Sequence, residues 1–317
     1  MPVDQINNTV IRPALSPPPP AGPAPLPSTR VQVEIGAATD PGKVRANNED
    51  HFLVTRYCRT ALALKTNLPD GLVPRKFEEG GYALVVADGM GGTTAGEVAS
   101  RMAIAAGVSL ALESPRWHVL NTPEEIAAQQ ELWRGRFREI DSVLARHAWA
   151  DPTLTGMGTT LTLACVVGAD LSLYHVGDSR AYLYRQGRLL QLTSDHTVAQ
   201  EMANAGLIDR SAVGRHRQRH TLTRYIGGGR EVEAETQHVP LEDGDRLLLC
   251  SDGLNDMVPD AKIAFVLGSV SDPDQTCASL IALALEAGGK DNVTVIVANY
   301  SVLPEQAPSP PASGSGS

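Results

Sequence analysis

Positive charge is scarce in this 317-residue chain: 27 Lys and Arg stand against 36 Asp and Glu, giving a net charge of −9 and a pI near 5.4. A nucleic-acid binder usually carries a basic domain, so the bulk electrostatics argue against nucleic acid as a partner. Long apolar runs are also lacking. The apolar stretches are short and interrupted by polar residues, so no membrane insertion is expected. The opening MPVDQINNTV has neither the basic n-region nor the apolar h-region of a secretory leader, and a cytoplasmic location is expected. Cysteine is sparse and unpaired in sequence. Cys58, Cys165, Cys250 and Cys277 are widely spaced with no CxxC, and Cys165 and Cys250 sit in strand-like apolar runs. That pattern reads as buried free thiols rather than disulfides or a zinc site. The eight histidines are read as offering neither HxxxH nor HExxH ligand spacing and are not taken as metal ligands.

What is abundant at the two ends is proline, alanine, serine and glycine. Residues 1–30 contain PALSPPPPAGPAPLPSTR and residues 304–317 read PEQAPSPPASGSGS. Such segments cannot bury enough apolar surface to offset chain entropy, so both are expected to be disordered tails around one folded region, 31–303. Within it, strand-like runs dominate: VQVEIGAATD, DHFLVTR, YALVVAD, TTLTLACVVGA, LSLYHVGD, SRAYLYRQGRLLQLT, DRLLLCSD and NVTVIVANY. Helical spacing marks residues 94–113. A second helix is expected to open at Thr122 with Pro123 at its first position and Glu125 completing a capping box, and a third at Asp272-Pro273. Strict βαβα alternation is missing, which favours antiparallel sheets covered by helices. Residues 57–80 read as a long turn-rich connection. Residues 204–230 carry Arg210, Arg215, Arg217, Arg219, Arg224 and Arg230, the one positive patch, suited to drawing in an anion.

The chemistry lies at strand ends. Asp88 follows ALVVA, Asp178 follows LSLYHVG, Asp252 follows DRLLLCS, and Asp291 precedes NVTVIVA, while Glu49 and Asp50 precede HFLV. Any one of them could be a turn-forming aspartate. As a converging set they would repel unless a cation neutralised them, and hard oxygen ligands suit Mg²⁺ or Mn²⁺ rather than zinc. The glycines after Asp88 invite a phosphate-loop reading, but DGMGGTTAG lacks the lysine of GxxxxGK[ST] and does not fit GxGxxG. A leading carboxylate would also repel a phosphate. A metal site accounts for the acid, with glycine allowing a backbone carbonyl such as that of Gly89 to approach an ion.

In this order the segments RANNED (45–50), VADGMGGTTAGEVAS (86–100), GMGTTLTLACV (156–166), HVGDSRAYLYR (175–185), LTSDHT (192–197), LTRYIGG (222–228), LLLCSDGLND (247–256) and GGKDNVTVIV (288–297) resemble the metal-dependent Ser/Thr protein phosphatase family, protein phosphatase type 2C, in its bacterial branch. The resemblance implies an α+β fold: a four-layer αββα sandwich, two antiparallel sheets flanked by helices, with a binuclear metal cleft at one end. It implies that Asp88 bridges two Mn²⁺ or Mg²⁺ ions, that the Gly89 carbonyl joins one, and that Asp252 and Asp291 hold the other. Asp178, Asp252 and Asp256 match a third, weaker site. Glu49 and Asp50 match the pair that orders water at the ions, Arg45 the arginine that grips the substrate phosphate, and 204–230 a flap.

The expected reaction is metal-assisted hydrolysis of phosphoserine or phosphothreonine, without a covalent phosphoenzyme. The expected partners are phosphorylated proteins, with a bacterial Ser/Thr kinase opposed, and a monomer is expected. One departure stands out: where some members carry a histidine two residues after the bridging aspartate, this chain has Met90, which donates no proton. His51 nearby is read as structural. Two readings compete: a phosphoprotein-binding pseudoenzyme, which would be expected to have lost at least one of Asp88, Asp178, Asp252, Asp291, Glu49 and Arg45, all of them present, and a scaffold acting through its proline tails, which partner binding that survives deletion of 1–30 would dispose of.

Overall fold

The computed structural model of the chain describes residues 31–69, 75–91, 95–113, 122–229 and 232–303. Both proline-rich tails lie outside the described residues. Eleven strands are described: β1 (Val31–Asp40), β2 (Asp50–Leu62), β3 (Lys76–Met90), β4 (Gly158–Thr159), β5 (Leu161–Val167), β6 (Asp170–Val176), β7 (Arg180–Arg185), β8 (Arg188–Gln191), β9 (Glu235–Pro240), β10 (Arg246–Cys250) and β11 (Val293–Val302). The α-helices are α1 (Ala95–Glu113), α2 (Pro123–Ala150), α3 (Val198–Asn204), α4 (Asp252–Asn255), α5 (Asp260–Ser269) and α6 (Pro273–Glu286). One sheet runs β1-β11-β10-β7-β8 and the other β2-β3-β5-β6-β9, with β4 paired to the end of β3. Every pairing is antiparallel.

The sheets are stacked, and the period-2 alternation of strand side chains sorts the core into three layers. Leu84, Val86, Ala164, Val166, Leu171, Leu173, Leu247, Leu249, Ile296 and Ala298 meet between the sheets. Val85, Ala87, Leu161, Leu163 and Tyr174 face the other way, against α1 and α2. Leu248, Cys250, Val295 and Val297 face α5 and α6. Because both faces of the central strands are covered, ALVVA, LTLACVV and VTVIVA are apolar at nearly every step, with the buried Thr162 and Thr294 as the exceptions, rather than at every second one. The four-layer αββα sandwich expected from the sequence is what the chain forms.

Helix starts follow local chemistry. Thr122 Oγ1 accepts from the Glu125 amide at 3.2 Å while the Thr122 amide donates to Glu125 Oε2 at 3.3 Å, and Pro123 fills the first helical position, where no amide donor is required. Asp272 caps α6 by accepting from the Gln275 amide at 2.8 Å.

The structure departs from the sequence reading in four places. Residues 57–62 and 76–80 are not a turn-rich connection but the distal halves of β2 and β3, paired in register from Tyr57↔Gly81 to Leu62↔Lys76. Largely exposed residues with little alternation hid these strands, although Glu79 is buried. Second, β9, α3, α4 and α5 are short elements that the sequence reading did not mark, although Thr197 caps α3 by accepting from the Gln200 amide at 3.3 Å. Third, α1 is long and apolar enough, by length and composition, to cross a membrane, although no run of residues suggested a span. In the fold it packs on β3 and α2. Finally, all four cysteines are free, but Cys58 is exposed and only Cys165, Cys250 and Cys277 are buried.

Candidate metal centre

Two sheets bring their acids to one end of the sandwich. On the first, Asp50 at the start of β2 lies directly opposite Asp88 near the end of β3. On the second, Asp252 begins α4 immediately after β10, and Asp291 sits two residues before β11. Asp178 occupies the turn between β6 and β7. That turn needs Gly177, whose φ of +116° favours glycine and whose absent Cβ leaves room for Thr160. Thr160 in turn donates its amide to the Asp88 carbonyl at 2.9 Å, accepts the Asp88 amide on Oγ1 at 2.9 Å, and shares a 2.8 Å hydroxyl contact with Ser179. A hydroxyl network thus ties the Asp88 strand to the Asp178 turn.

The acids surround a cleft of about 760 Å³ lined by Arg45, Glu49, Asp88, Gly89, Met90, Asp178, Asp252, Asp256 and Asp291. Asp50 lies beneath it, 3% exposed, with Oδ2 accepting from Ser251 Oγ at 2.6 Å. Gly89 has a steric reason to be glycine: a Cβ there would collide with the Gly96 carbonyl at the start of α1. The same tight corner lets the Gly89 amide donate to the Glu49 carbonyl at 3.2 Å. Arg45 stands at the rim and donates from Nη2 to Asp291 Oδ2 at 2.7 Å. His51 points away from the cleft, to Ser100 Oγ at 2.9 Å.

Burial and mutual repulsion both act on these carboxyls. Asp88 is held well above the usual carboxylate range, first by burial and then by the charges of Asp50, Asp252, Asp178 and Asp291. Asp178 is raised for the same reasons, with Asp252 the foremost neighbour. Asp50 is pushed up to about 7 by burial, against hydrogen bonds from Ser251 and Thr294 that favour its anion. Glu49 and Asp256 are raised by burial as well.

A cluster of this kind wants cations, and the donor set is one of hard oxygens, which fits Mn²⁺ or Mg²⁺. A specific sign is Asp50 Oδ1, buried with no hydrogen-bond partner among the described residues. Such an orphan is costly unless something else satisfies it. Asp178, Asp252 and an unexpected third residue, His220, also bring ligand atoms within 4.8 Å of one another.

His220 corrects the sequence reading that left histidine out of the site. It belongs to the basic segment 204–230, whose described part folds back over the cleft after a 3₁₀ turn at Arg210–Arg215. Its Nε2 lies 3.2 Å from Asp256 Oδ2 and its Nδ1 3.6 Å from Asp252 Oδ2. Those acids hold its pKa above the ordinary imidazole value, chiefly through the Asp252 contact. The signal was present in RHRQRH, where His216 and His220 stand four apart, but the segment is not a helix and only His220 lines the cleft. Arg219 beside it lies 3.6 Å from Asp256, while Arg224 turns inward to within 3.4 Å of His196. Arg230 lies outside the described residues.

Comparison with known proteins agrees with this geometry. A family model described as Protein phosphatase 2C matches residues 69–279. The chain is 35% identical over 269 residues to the serine/threonine phosphatase stp of Listeria welshimeri, covering 84% of this chain and 95% of the relative. It is 38% identical over 267 residues to the serine/threonine protein phosphatase PstP of Mycobacterium tuberculosis, covering 84% of this chain but 45% of that longer protein. The crystal structure of the Mycobacterium tuberculosis phosphatase PstP/Ppp superposes with a TM-score of 0.68 at 37% identity, over 84% of this chain and 98% of that one. A second structure, the catalytic domain of PstP in complex with two manganese ions, gives a TM-score of 0.67 at 35% identity, over 86% of this chain and 99% of that one. From its sequence, its fold and the acids at one end of its sandwich, the chain belongs to the protein phosphatase 2C family.

Proposed function

We propose that the cleft hydrolyses phosphoserine and phosphothreonine monoesters on proteins, with Mn²⁺ or Mg²⁺ as cofactor. The observation that carries this reading is the set of five aspartates, Asp50, Asp88, Asp178, Asp252 and Asp291, gathered at one cleft with a guanidinium at its rim. The stp and PstP relatives are serine/threonine phosphatases, which supports the substrate class.

In this reading Asp88, Asp252, Asp291 and the Gly89 carbonyl hold the ions, and Asp178, Asp252 and Asp256 frame a further position. Bound there, divalent cations would neutralise the acids and make water a competent nucleophile at neutral pH. Arg45 spends one N–H on Asp291, and a guanidinium carries five, so a bidentate grip on a phosphate remains open. Glu49 and the unpartnered Asp50 Oδ1 accept hydrogen bonds from water and orient it. Met90 lines the cleft but brings no proton to the leaving oxygen. Among the described residues the imidazole lining the cleft is His220, which makes it the side chain to examine for that role.

We further assign residues 31–303 as the catalytic unit, with the flap at 204–230, and a monomeric, cytoplasmic enzyme that reverses the work of a Ser/Thr kinase. The decisive experiment is hydrolysis of an aryl phosphate by the purified chain with added Mn²⁺. We expect activity that a chelator abolishes and that Asp88→Asn and Asp252→Asn each reduce by at least a hundredfold with an unchanged circular-dichroism spectrum. Full activity in a folded Asp252→Asn variant would overturn the assigned site.

A further inference from the structure

The loop that joins β1 to β2, residues 41–49, carries both Arg45 and Glu49 yet contains neither helix nor strand. Its backbone groups must therefore find partners outside regular structure. Three of those partners come from one side chain, that of Asn292, which stands between Asp291 and the start of β11. Asn292 Oδ1 accepts from the Glu49 amide at 2.8 Å, and Nδ2 donates to the carbonyls of Asn47 at 2.9 Å and Pro41 at 3.0 Å. A carboxamide has two N–H donors, and both are spent on this loop. At 4% exposure the amide is shielded from competing water.

These contacts fall on both ends of the loop, so 42–46 forms an arc between fixed points with Arg45 near its apex. The arc also lies flat on the backbone that leads into β11. Lys43 donates its amide to the Gly289 carbonyl at 2.7 Å. Gly42, with φ of +76°, comes so close that a Cβ there would stand 2.3 Å from the Asp291 carbonyl. Asp291 is oriented from the same place: its Oδ1 accepts from the Asn292 amide at 3.0 Å while Arg45 donates to its Oδ2. Asn292 thus aims the acid with its backbone and the loop with its side chain.

We propose that Asn292 is a positioning residue for the phosphate subsite. Its carboxamide fixes the 41–49 arc so that Arg45 and Glu49 face the cleft before a phosphate monoester arrives. Arg45 is 53% exposed, and on a loose loop its side chain would have to be ordered by the phosphate itself. Ordering of that kind weakens binding by about two- to tenfold. The assignment rests on the phosphatase reading of the cleft, but a loop held by one amide can be measured without turnover.

The test uses the full chain loaded with Mn²⁺ and the variants Asn292→Ala, Arg45→Ala and the double variant. Limited trypsin digestion, read by mass spectrometry, should cut Asn292→Ala after Lys43 or Arg45 well before it cuts wild type there. Orthophosphate, titrated calorimetrically, should bind Asn292→Ala about two- to tenfold more weakly, and KM for an aryl phosphate should rise by the same factor. Arg45→Ala should weaken orthophosphate by about ten- to a hundredfold, the span of hydrogen bonds to a charged group. The double variant should be no weaker than Arg45→Ala alone, because the amide acts through the arginine. Mn²⁺ affinity should stay at its wild-type value, since Asp291 and its backbone donor remain.

Multiplying effects of the two substitutions on orthophosphate affinity would overturn the proposal. So would an Asn292→Ala variant as resistant to trypsin as wild type, or a loss of Mn²⁺ affinity large enough to account for the weaker anion binding. Should Asn292→Ala not fold, Asn292→Ser, whose hydroxyl keeps one polar partner in the space, carries the same comparison; failure of both to fold would show a purely structural residue and refute the positioning role. A chain that shows the expected coupling in orthophosphate binding but hydrolyses no monoester would refute the phosphatase reading and leave this assignment standing.

Discussion

Metal-free protein should be stabilised, not weakened, by losing a carboxylate at its centre. Asp50 has an ordinary value of 3.8 and sits at about 7 in the fold. A buried acid raised in this way binds its proton more tightly folded than unfolded, so its ionisation opposes folding. The penalty is absent below pH 4, grows as pH rises and is complete above pH 7, where it amounts to about 4 kcal/mol. Asp50→Asn removes the charge. Its amide oxygen can still accept from Ser251 Oγ, while the new NH₂ takes the place of the unpartnered Oδ1 and faces Asp88 across the strand pair. Allowing for imperfect hydrogen bonding of that amide, about 2–4 kcal/mol of stabilisation is expected at pH 8.

The assay is urea unfolding in excess chelator at pH 8 and pH 6.5. Wild type should gain about 0.8 kcal/mol from Asp50 alone over that interval, with Asp88 and Asp178 adding in the same direction. The lower limit matters because His175 is held down to about 3 by burial. A base lowered in this way costs stability as the unfolded chain takes up a proton, already about 0.4 kcal/mol at pH 6.5, so it offsets part of the gain within the interval and would mask it further down. With Mn²⁺ present the order should invert, because the variant loses an oxygen that supports the site. A metal-free Asp50→Asn protein less stable than wild type at pH 8 would refute the account of a repulsive, cation-seeking cluster.

Three further outcomes are expected. Gly89→Ala drives a methyl into the Gly96 carbonyl and should cost about 1–3 kcal/mol in urea unfolding together with Mn²⁺ affinity; wild-type values for both would remove the steric argument. Thr122→Ala, which dismantles the capping box of α2, should cost about 1 kcal/mol and leave aryl phosphate hydrolysis unchanged. Neutralising the exposed Arg215 and Arg217 should slow hydrolysis of a phosphoprotein more than of an aryl phosphate, whereas Arg219→Ala, at the cleft, should slow both; equal effects of the two exposed arginines on both substrates would speak against a docking role for the flap.

The acids were legible because each ends an apolar strand, and strand ends in a sandwich converge. That logic found Asp88, Asp178, Asp252 and Asp291, and the structure gathers them around one cleft with Glu49 and Arg45, above the buried Asp50. His220 was only half legible: its spacing from His216 stands in the sequence, but that it alone of the two reaches the cleft follows from the path of an irregular segment, which no period encodes. The supporting hydroxyls, Thr160, Ser179 and Ser251, were silent: their role comes from partners far along the chain. The distal halves of β2 and β3 were missed for the opposite reason. They carry strand geometry without a core face, so the alternation that betrays a strand is absent.

The strand order has a consequence for how the molecule comes into being. β1 finds its strand partner in β11, so the first described strand waits for the last, and Val31 ends opposite Val302. The acids are split in the same way, with Asp50 and Asp88 emerging early and Asp291 only just before β11. A nascent or truncated chain that stops short of Asp291 therefore has neither the strand that joins β1 to β10 nor a complete set of acids, and the cleft stays silent until that part of the chain has been made. The same closeness of the two ends makes the domain a candidate for circular permutation, with Val31 joined to Val302 through a short linker and new termini opened at the far end of the β2–β3 arm, which extends roughly 40 Å from Asp50 at about 3.3 Å per residue.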